Sequence, residues 1–89
     1  MTYRLRIPKS VLRELERLPG HMRQRVRRAI AGLSQEPRPQ AAKALRGELT
    51  GHWRLRVEDH RIIYSIDDDT VVVEIIRVAR RSASTYEGL

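Results

Sequence analysis

The sequence predicts an α+β domain: an N-terminal strand, a two-helix hairpin and then an antiparallel sheet, in the order β-α-α-β-β-β, with a short C-terminal helical turn. Three observations carry this prediction. Residues 3–7 alternate apolar and charged side chains, residues 11–33 repeat apolar side chains at helical spacing, and from Trp53 onward the two-residue period returns. At 89 residues the chain is the size of one domain, spanning 1–89, with no internal repeat or linker.

Each element follows from its own residues. Tyr3-Arg4-Leu5-Arg6-Ile7 has the period of a half-buried strand, and Pro8 ends it. Val11, Leu12, Leu15 and Leu18 then form one helical stripe, for which Ser10 is the expected N-cap. Pro19-Gly20 breaks the chain. Met22, Val26, Ala29, Ile30 and Leu33 form a second stripe, whose outer face carries Arg23, Arg25, Arg27 and Arg28. So short a connection implies an antiparallel helical hairpin. Residues 32–39 close the second helix, and Pro37-Arg38-Pro39 opens a loop. Trp53-Arg54-Leu55-Arg56-Val57 alternates strictly, while residues 61–66 and 71–78 are rich in the Ile, Val and Tyr that strands favour. Glu58-Asp59 and Asp67-Asp68-Asp69-Thr70 are the turns between them.

The charge balance points to the class of partner. Lys and Arg total 18 against 11 Asp and Glu, for a net charge of +7. Nearly all the cations are arginine; Lys9 and Lys43 are the exceptions. A guanidinium offers a planar fork that bonds a phosphate through two N–H groups at once, so the composition favours a polyanion partner. There is no cysteine, which excludes disulfides and zinc–thiolate sites. No apolar run is long enough for a membrane span and the N-terminus lacks a signal-peptide core, so a cytoplasmic protein is expected. The run Asp67-Asp68-Asp69 reads as a solvated turn and not as a metal site, and no cofactor is expected.

Strand parity gathers the cations. If Trp53, Leu55 and Val57 face the core, His52, Arg54 and Arg56 face away from it. A two-residue turn at Glu58-Asp59 then sets Arg56 opposite Arg61, Arg54 opposite Ile63 and His52 opposite Ser65. Like charges placed directly opposite destabilise a sheet, so their presence suggests that an anion is held there. The register of the last strand stays open. A two-residue turn at Asp68-Asp69 brings Arg61 beside Ile76 and puts Arg80 on the basic face; a three-residue turn through Thr70 pairs Arg61 with Arg77 and puts Ala79 and Arg81 there instead.

In this order of elements, Lys43-Ala44-Leu45-Arg46-Gly47, Trp53-Arg54-Leu55-Arg56-Val57, His60-Arg61-Ile62-Ile63-Tyr64 and the strand from Val71 to Arg77-Val78-Ala79-Arg80-Arg81, followed by Tyr86, resemble the RelE/ParE toxin superfamily. The resemblance implies a toxin of a two-gene module, held inactive by a cognate antitoxin protein, which the positive charge suggests is acidic. RelE-like members cleave mRNA in the ribosomal A site; ParE-like members instead inhibit DNA gyrase without chemistry. The RelE pattern falls here on His52, Arg54, Arg61, Arg81 and Tyr86 as catalytic residues. Arg46, Arg56, Arg77 and Arg80 are the expected RNA-binding residues, with mRNA and the ribosome as partners. No membrane partner and no sequence-specific DNA binding of its own are expected.

RNA can be cut without metal when its own 2′-OH attacks the adjacent phosphate. The protein must then accept the 2′ proton, stabilise a dianionic phosphorane and protonate the leaving 5′ oxygen. Arginine suits the second task but cannot be the base, because it never loses its proton near neutral pH. The family often has lysine where His52 and Arg54 stand. His52 shares a strand face with Arg54 and is therefore the expected base, with Tyr86 as acid or base-stacking group.

Overall fold

The computed structural model describes residues 2–80. Its elements are β1 (Arg4–Arg6), α1 (Lys9–Glu16), α2 (Gly20–Gln35), β2 (Lys43–Ala44), a 3-10 turn (Gly47–Leu49), β3 (His52–Val57), β4 (His60–Asp67) and β5 (Val72–Arg80). The strands form one sheet in the order β1-β5-β4-β3-β2. The expected C-terminal helical turn, Arg81 and Tyr86 lie outside the described residues.

Two features of the sheet go beyond the sequence pattern. β1 joins beside β5 and runs parallel to it, pairing Arg4 with Val72 and Arg6 with Glu74, so the sheet is mixed. β2 adds a fifth, two-residue strand at the other edge, with Lys43 opposite Arg54 and Ala44 opposite Trp53. Two residues are too few to show a period, and that is why the sequence pattern does not reveal this strand.

The helices begin at prolines. Pro8 and Pro19 are the N-cap residues of α1 and α2, and neither helix has a side-chain cap bond. The expected Ser10 cap is displaced because the Pro8 carbonyl already accepts from the Val11 and Leu12 amides at 3.0 and 3.1 Å, placing Ser10 inside the first turn. Both helices pack on one face of the sheet. Val11, Leu15, Met22, Val26, Ile30 and Leu33 meet Leu55, Ile62, Tyr64, Val73, Ile75 and Val78 in a single core.

The β4–β5 register differs from both alternatives read in the sequence. Asp67 pairs with Val72, so the connection has four residues, and a register shift falls between Ile63 and Tyr64. Tyr64 faces Ile75 while Ile63 faces Arg77, leaving Ile76 as the extra residue of a bulge. The bulge resolves a conflict of parity. Without it, either Glu74 or Arg77 would point into the core. With it, Val73, Ile75 and Val78 all face the helices and both charged residues face away.

Candidate RNA-binding face

The face opposite the helices is built row by row across the strands. One row runs Lys43, Arg54, Ile63, Arg77 through β2, β3, β4 and β5. The next runs Arg56, Arg61, Ala79. A third runs His52, Ser65, Glu74, Arg6. The two-residue β3–β4 turn is as expected, and with it the pairs Arg56–Arg61, Arg54–Ile63 and His52–Ser65.

Arg54 and Arg61 are diagonal neighbours on adjacent strands, a relationship that sets Cα atoms roughly 7–8 Å apart. Two guanidinium groups so placed can reach a single phosphate. Between them and Arg77 lies Ile63, which is fully buried although it points away from the main core. Its cross-strand neighbours Arg54 and Arg77 carry aliphatic stems suited to covering it. An apolar floor of this kind lowers the local dielectric and strengthens any guanidinium–phosphate contact made above it. Arg61 is only 9% exposed, so its charge is largely withdrawn from water. The buried Nε of Arg54 has no hydrogen-bond partner among the described residues.

His52 is fixed by its own ring. Its Nδ1 lies 3.3 Å from the Leu49 carbonyl, an acceptor, so Nδ1 carries the proton in that contact. In the neutral ring, Nε2 then holds the lone pair a general base requires.

The other expected RNA-binding residues do not all share this face. Arg56 is exposed on it. Arg77 lies on it and is steadied by Glu14 of α1, whose carboxylate is 3.5 Å from Arg77 Nε and also accepts from the Val78 amide at 2.9 Å. That amide lies beyond the reach of the short β1, and Glu14 takes the place of a neighbouring strand there. Arg46 is exposed at the start of the 3-10 turn, at the sheet edge. Arg80 is a correction. It pairs with His60 in the parity of Val78 and Ile62, on the helix side, and donates to Asp59 at 3.1 Å. The bulge at Ile76 causes this, because it gives Arg77 and Ala79 the outer face. Lys43 is a member of the face that parity alone missed; its signal was present only in the Lys43-Ala44-Leu45-Arg46-Gly47 motif.

The remaining singled-out residues are structural. Trp53 packs against the core and carries the Arg38 guanidinium 5.5 Å from its ring centre. Tyr64 is buried and its hydroxyl donates to the Pro37 carbonyl at 2.8 Å. Asp67 accepts from the amides of Asp69 and Thr70 at 3.0 and 3.1 Å, an acidic turn closing on its own backbone. Among the described residues no three His, Cys, Asp or Glu side chains are placed to hold a metal ion. None of their helices is long and apolar enough to cross a membrane.

Comparison with known proteins places this architecture. Residues 5–84 match the family described as ParE toxin of type II toxin-antitoxin system, parDE. The chain is 37% identical over 82 residues to the toxin RelE of Mycobacterium tuberculosis, covering 92% of this chain and 84% of that protein. It is 31% identical over 85 residues to the mRNA interferase toxin RelE of Escherichia coli, covering 94% and 88%. Among solved structures it resembles the M. tuberculosis RelBE2 toxin–antitoxin complex, with TM-score 0.80, 35% identity and coverage of 91% of this chain and all of that one. The archaeal RelE–RelB complex from Pyrococcus horikoshii gives TM-score 0.81 and 32% identity, covering 93% and 99%. The chain belongs to the RelE/ParE superfamily of type II toxin–antitoxin toxins.

Proposed function

We infer that this toxin is a metal-independent endoribonuclease that cuts mRNA on the ribosome and so stops translation. The observation that carries the reading is the diagonal placement of Arg54 and Arg61 around the buried Ile63, with His52 on the same face. That arrangement suits a phosphate whose charge grows during reaction. The similarity to a relative named mRNA interferase supports the same activity.

In this mechanism His52 Nε2 accepts the 2′-OH proton as the 2′ oxygen attacks phosphorus. Arg54, Arg61 and Arg81 neutralise the phosphorane, and Tyr86 delivers the proton to the departing 5′ oxygen. Arg56, Arg77 and Lys43 bind flanking phosphates. Fixed donors aimed at developing charge contribute about 10²–10³-fold each in comparable sites. The partner that restrains the toxin is an acidic antitoxin, a reading supported by the RelE–RelB complexes among its structural neighbours and by the net charge of +7.

The family description names ParE, which keeps gyrase inhibition as the second reading. The two separate in one comparison. The protein is added to translating ribosomes with mRNA ends mapped, and in parallel to gyrase in a supercoiling assay. New mRNA ends that vanish with Arg61→Ala support the ribonuclease; intact mRNA with blocked supercoiling rejects it.

A further inference from the structure

The segment that follows β2 holds His52 at two points. The Leu45 amide donates to the His52 carbonyl at 2.9 Å, and the Leu49 carbonyl lies 3.3 Å from His52 Nδ1. Where residues 45–49 lie therefore decides which ring nitrogen meets an acceptor. β2 itself gives them little anchorage: it is two residues long, both exposed, and pairs Lys43 with Arg54 and Ala44 with Trp53. Residues 36–42, which lead into β2, are tied down from other elements. The Pro37 carbonyl accepts from the Tyr64 hydroxyl at 2.8 Å. Arg38 reaches further. Its Nη1 and Nη2 donate to the two carboxylate oxygens of Asp68, at 3.3 and 2.8 Å, and its guanidinium lies 5.5 Å from the centre of the Trp53 ring. Asp68 Oδ1 also accepts from the Tyr3 hydroxyl, at 2.6 Å. One side chain thus joins the β4–β5 connection to the β3 residue that pairs with Ala44 of β2.

Stability alone is a poor account of this cluster. The Arg38 and Asp68 side chains are 43% and 55% exposed, and exposed ion pairs contribute little to folding. What a two-pronged fork supplies is direction: it fixes the plane of the guanidinium, where a lysine would act as a point charge. Hydrogen bonds from Arg38 and then Tyr3 hold the Asp68 carboxyl below the usual carboxylate range, so it stays charged at neutral pH. We propose that Arg38 is a positioning residue for His52: gripping Asp68 and lying over Trp53, it fixes the β2 edge so that the Leu49 carbonyl keeps the His52 proton on Nδ1. In the neutral ring Nε2 is thereby left with its lone pair. This deepens the ribonuclease reading and rests on it for its consequence, because a bare Nε2 matters when a 2′-OH must lose its proton.

The test uses the isotope-labelled full chain at pH about 8, above the usual histidine range. Long-range proton–nitrogen correlation spectra report which ring nitrogen of His52 carries the proton, with its signals assigned through His52→Gln. The parent is expected to show the proton on Nδ1. Arg38→Gln is expected to bring the ring protonated on Nε2 to a comparable population, because Nδ1 no longer faces a fixed acceptor. Arg38→Lys keeps the charge but not the fork, and is expected to follow Arg38→Gln. Arg25→Gln is the control: it breaks another exposed ion pair, with Glu58 in the β3–β4 turn, and should leave the His52 ring as in the parent. On translating ribosomes, Arg38→Gln is expected to slow single-turnover mRNA cleavage by about ten- to a hundredfold. In the His52→Ala background the same change should add less than about twofold. A parent ring protonated on Nε2 overturns the proposal. So does an Arg38→Gln ring unchanged from the parent, or an Arg25→Gln ring moved as far. If the parent leaves mRNA intact, or His52→Ala cuts as fast as the parent, the catalytic role of His52 fails instead, and the spectra still decide what Arg38 does to the ring.

Discussion

Arg56 and Arg61 stand directly opposite each other in the β3–β4 register, on the face of the sheet away from both helices. Opposed like charges cost a sheet about 0.2–1 kcal/mol relative to a neutral pair. Replacing the exposed Arg56 with Thr, a good strand former, is therefore expected to raise stability by a few tenths of a kcal/mol up to about 1 kcal/mol. The same change should weaken RNA binding and lower the salt slope by about one. Urea unfolding followed by Trp53 fluorescence, beside RNA binding, measures both. A variant that loses stability without losing RNA affinity would show that Arg56 serves the fold and not the site.

Glu14 joins α1 to β5 through one carboxylate that touches both the Val78 amide and Arg77. Glu14→Ala leaves that amide without its acceptor and removes one ion-pair partner of Arg77. A hydrogen bond to a charged group contributes about 1.5–3 kcal/mol when buried; partial exposure places this one near the bottom of that range. Stability should fall by about 1–2 kcal/mol, and RNA affinity should fall as well because Arg77 loses one of the contacts that orient it. Glu14→Gln keeps an acceptor for Val78 and is expected to recover most of the stability but not the fixed orientation of Arg77.

Much of this was legible in the sequence, and the reasons are specific. Strict alternation in Trp53 to Val57, closed by a two-residue turn, fixed the rows His52–Ser65, Arg54–Ile63 and Arg56–Arg61. β5 resisted because Val71 to Ile76 is apolar at nearly every position, so period carried no information, and a bulge at Ile76 satisfied both faces in a way no regular register could. β2 was too short to have a period. Burial of Ile63 on the outer face was also invisible, since it depends on which side chains surround it and not on its own parity. The meeting of Arg38 with Asp68 and Trp53 depends on separate segments coming together in space, which a local pattern does not encode.

Val71 occupies the left-handed region at φ 59°, in the four-residue β4–β5 connection. A β-branched side chain is costly there, by about 1–2 kcal/mol, and the contact that holds it in place is the Arg4 amide donating to the Val71 carbonyl at 2.9 Å. Asn tolerates this conformation far better. Val71→Asn is expected to stabilise the chain by about 0.5–1 kcal/mol after allowing for lost apolar contact. Thermal unfolding gives the answer. A destabilised variant would mean that the side-chain packing of Val71 outweighs its backbone strain.

Tyr64 is expected to set the alkaline limit of the fold. Burial pushes its phenol up from 10.0 to about 12, against a smaller opposing effect of Arg38. The folded state thus holds the phenol proton more tightly than the unfolded chain does. The stabilisation this represents is complete below pH 10 and is lost as the pH rises from 10 to about 12. Tyr3 moves the same way, mainly because its hydroxyl donates to Asp68, at 2.6 Å. Absorbance at 295 nm should therefore show tyrosine ionisation delayed beyond the usual range and coinciding with loss of the Trp53 fluorescence signal of the native state. Tyr64→Phe removes the hydrogen bond to Pro37 and should cost about 1 kcal/mol at neutral pH. It should also move the alkaline unfolding midpoint upward relative to its own neutral-pH stability, because no buried phenol remains at that position to ionise. An unchanged alkaline limit in Tyr64→Phe would assign the transition to another group.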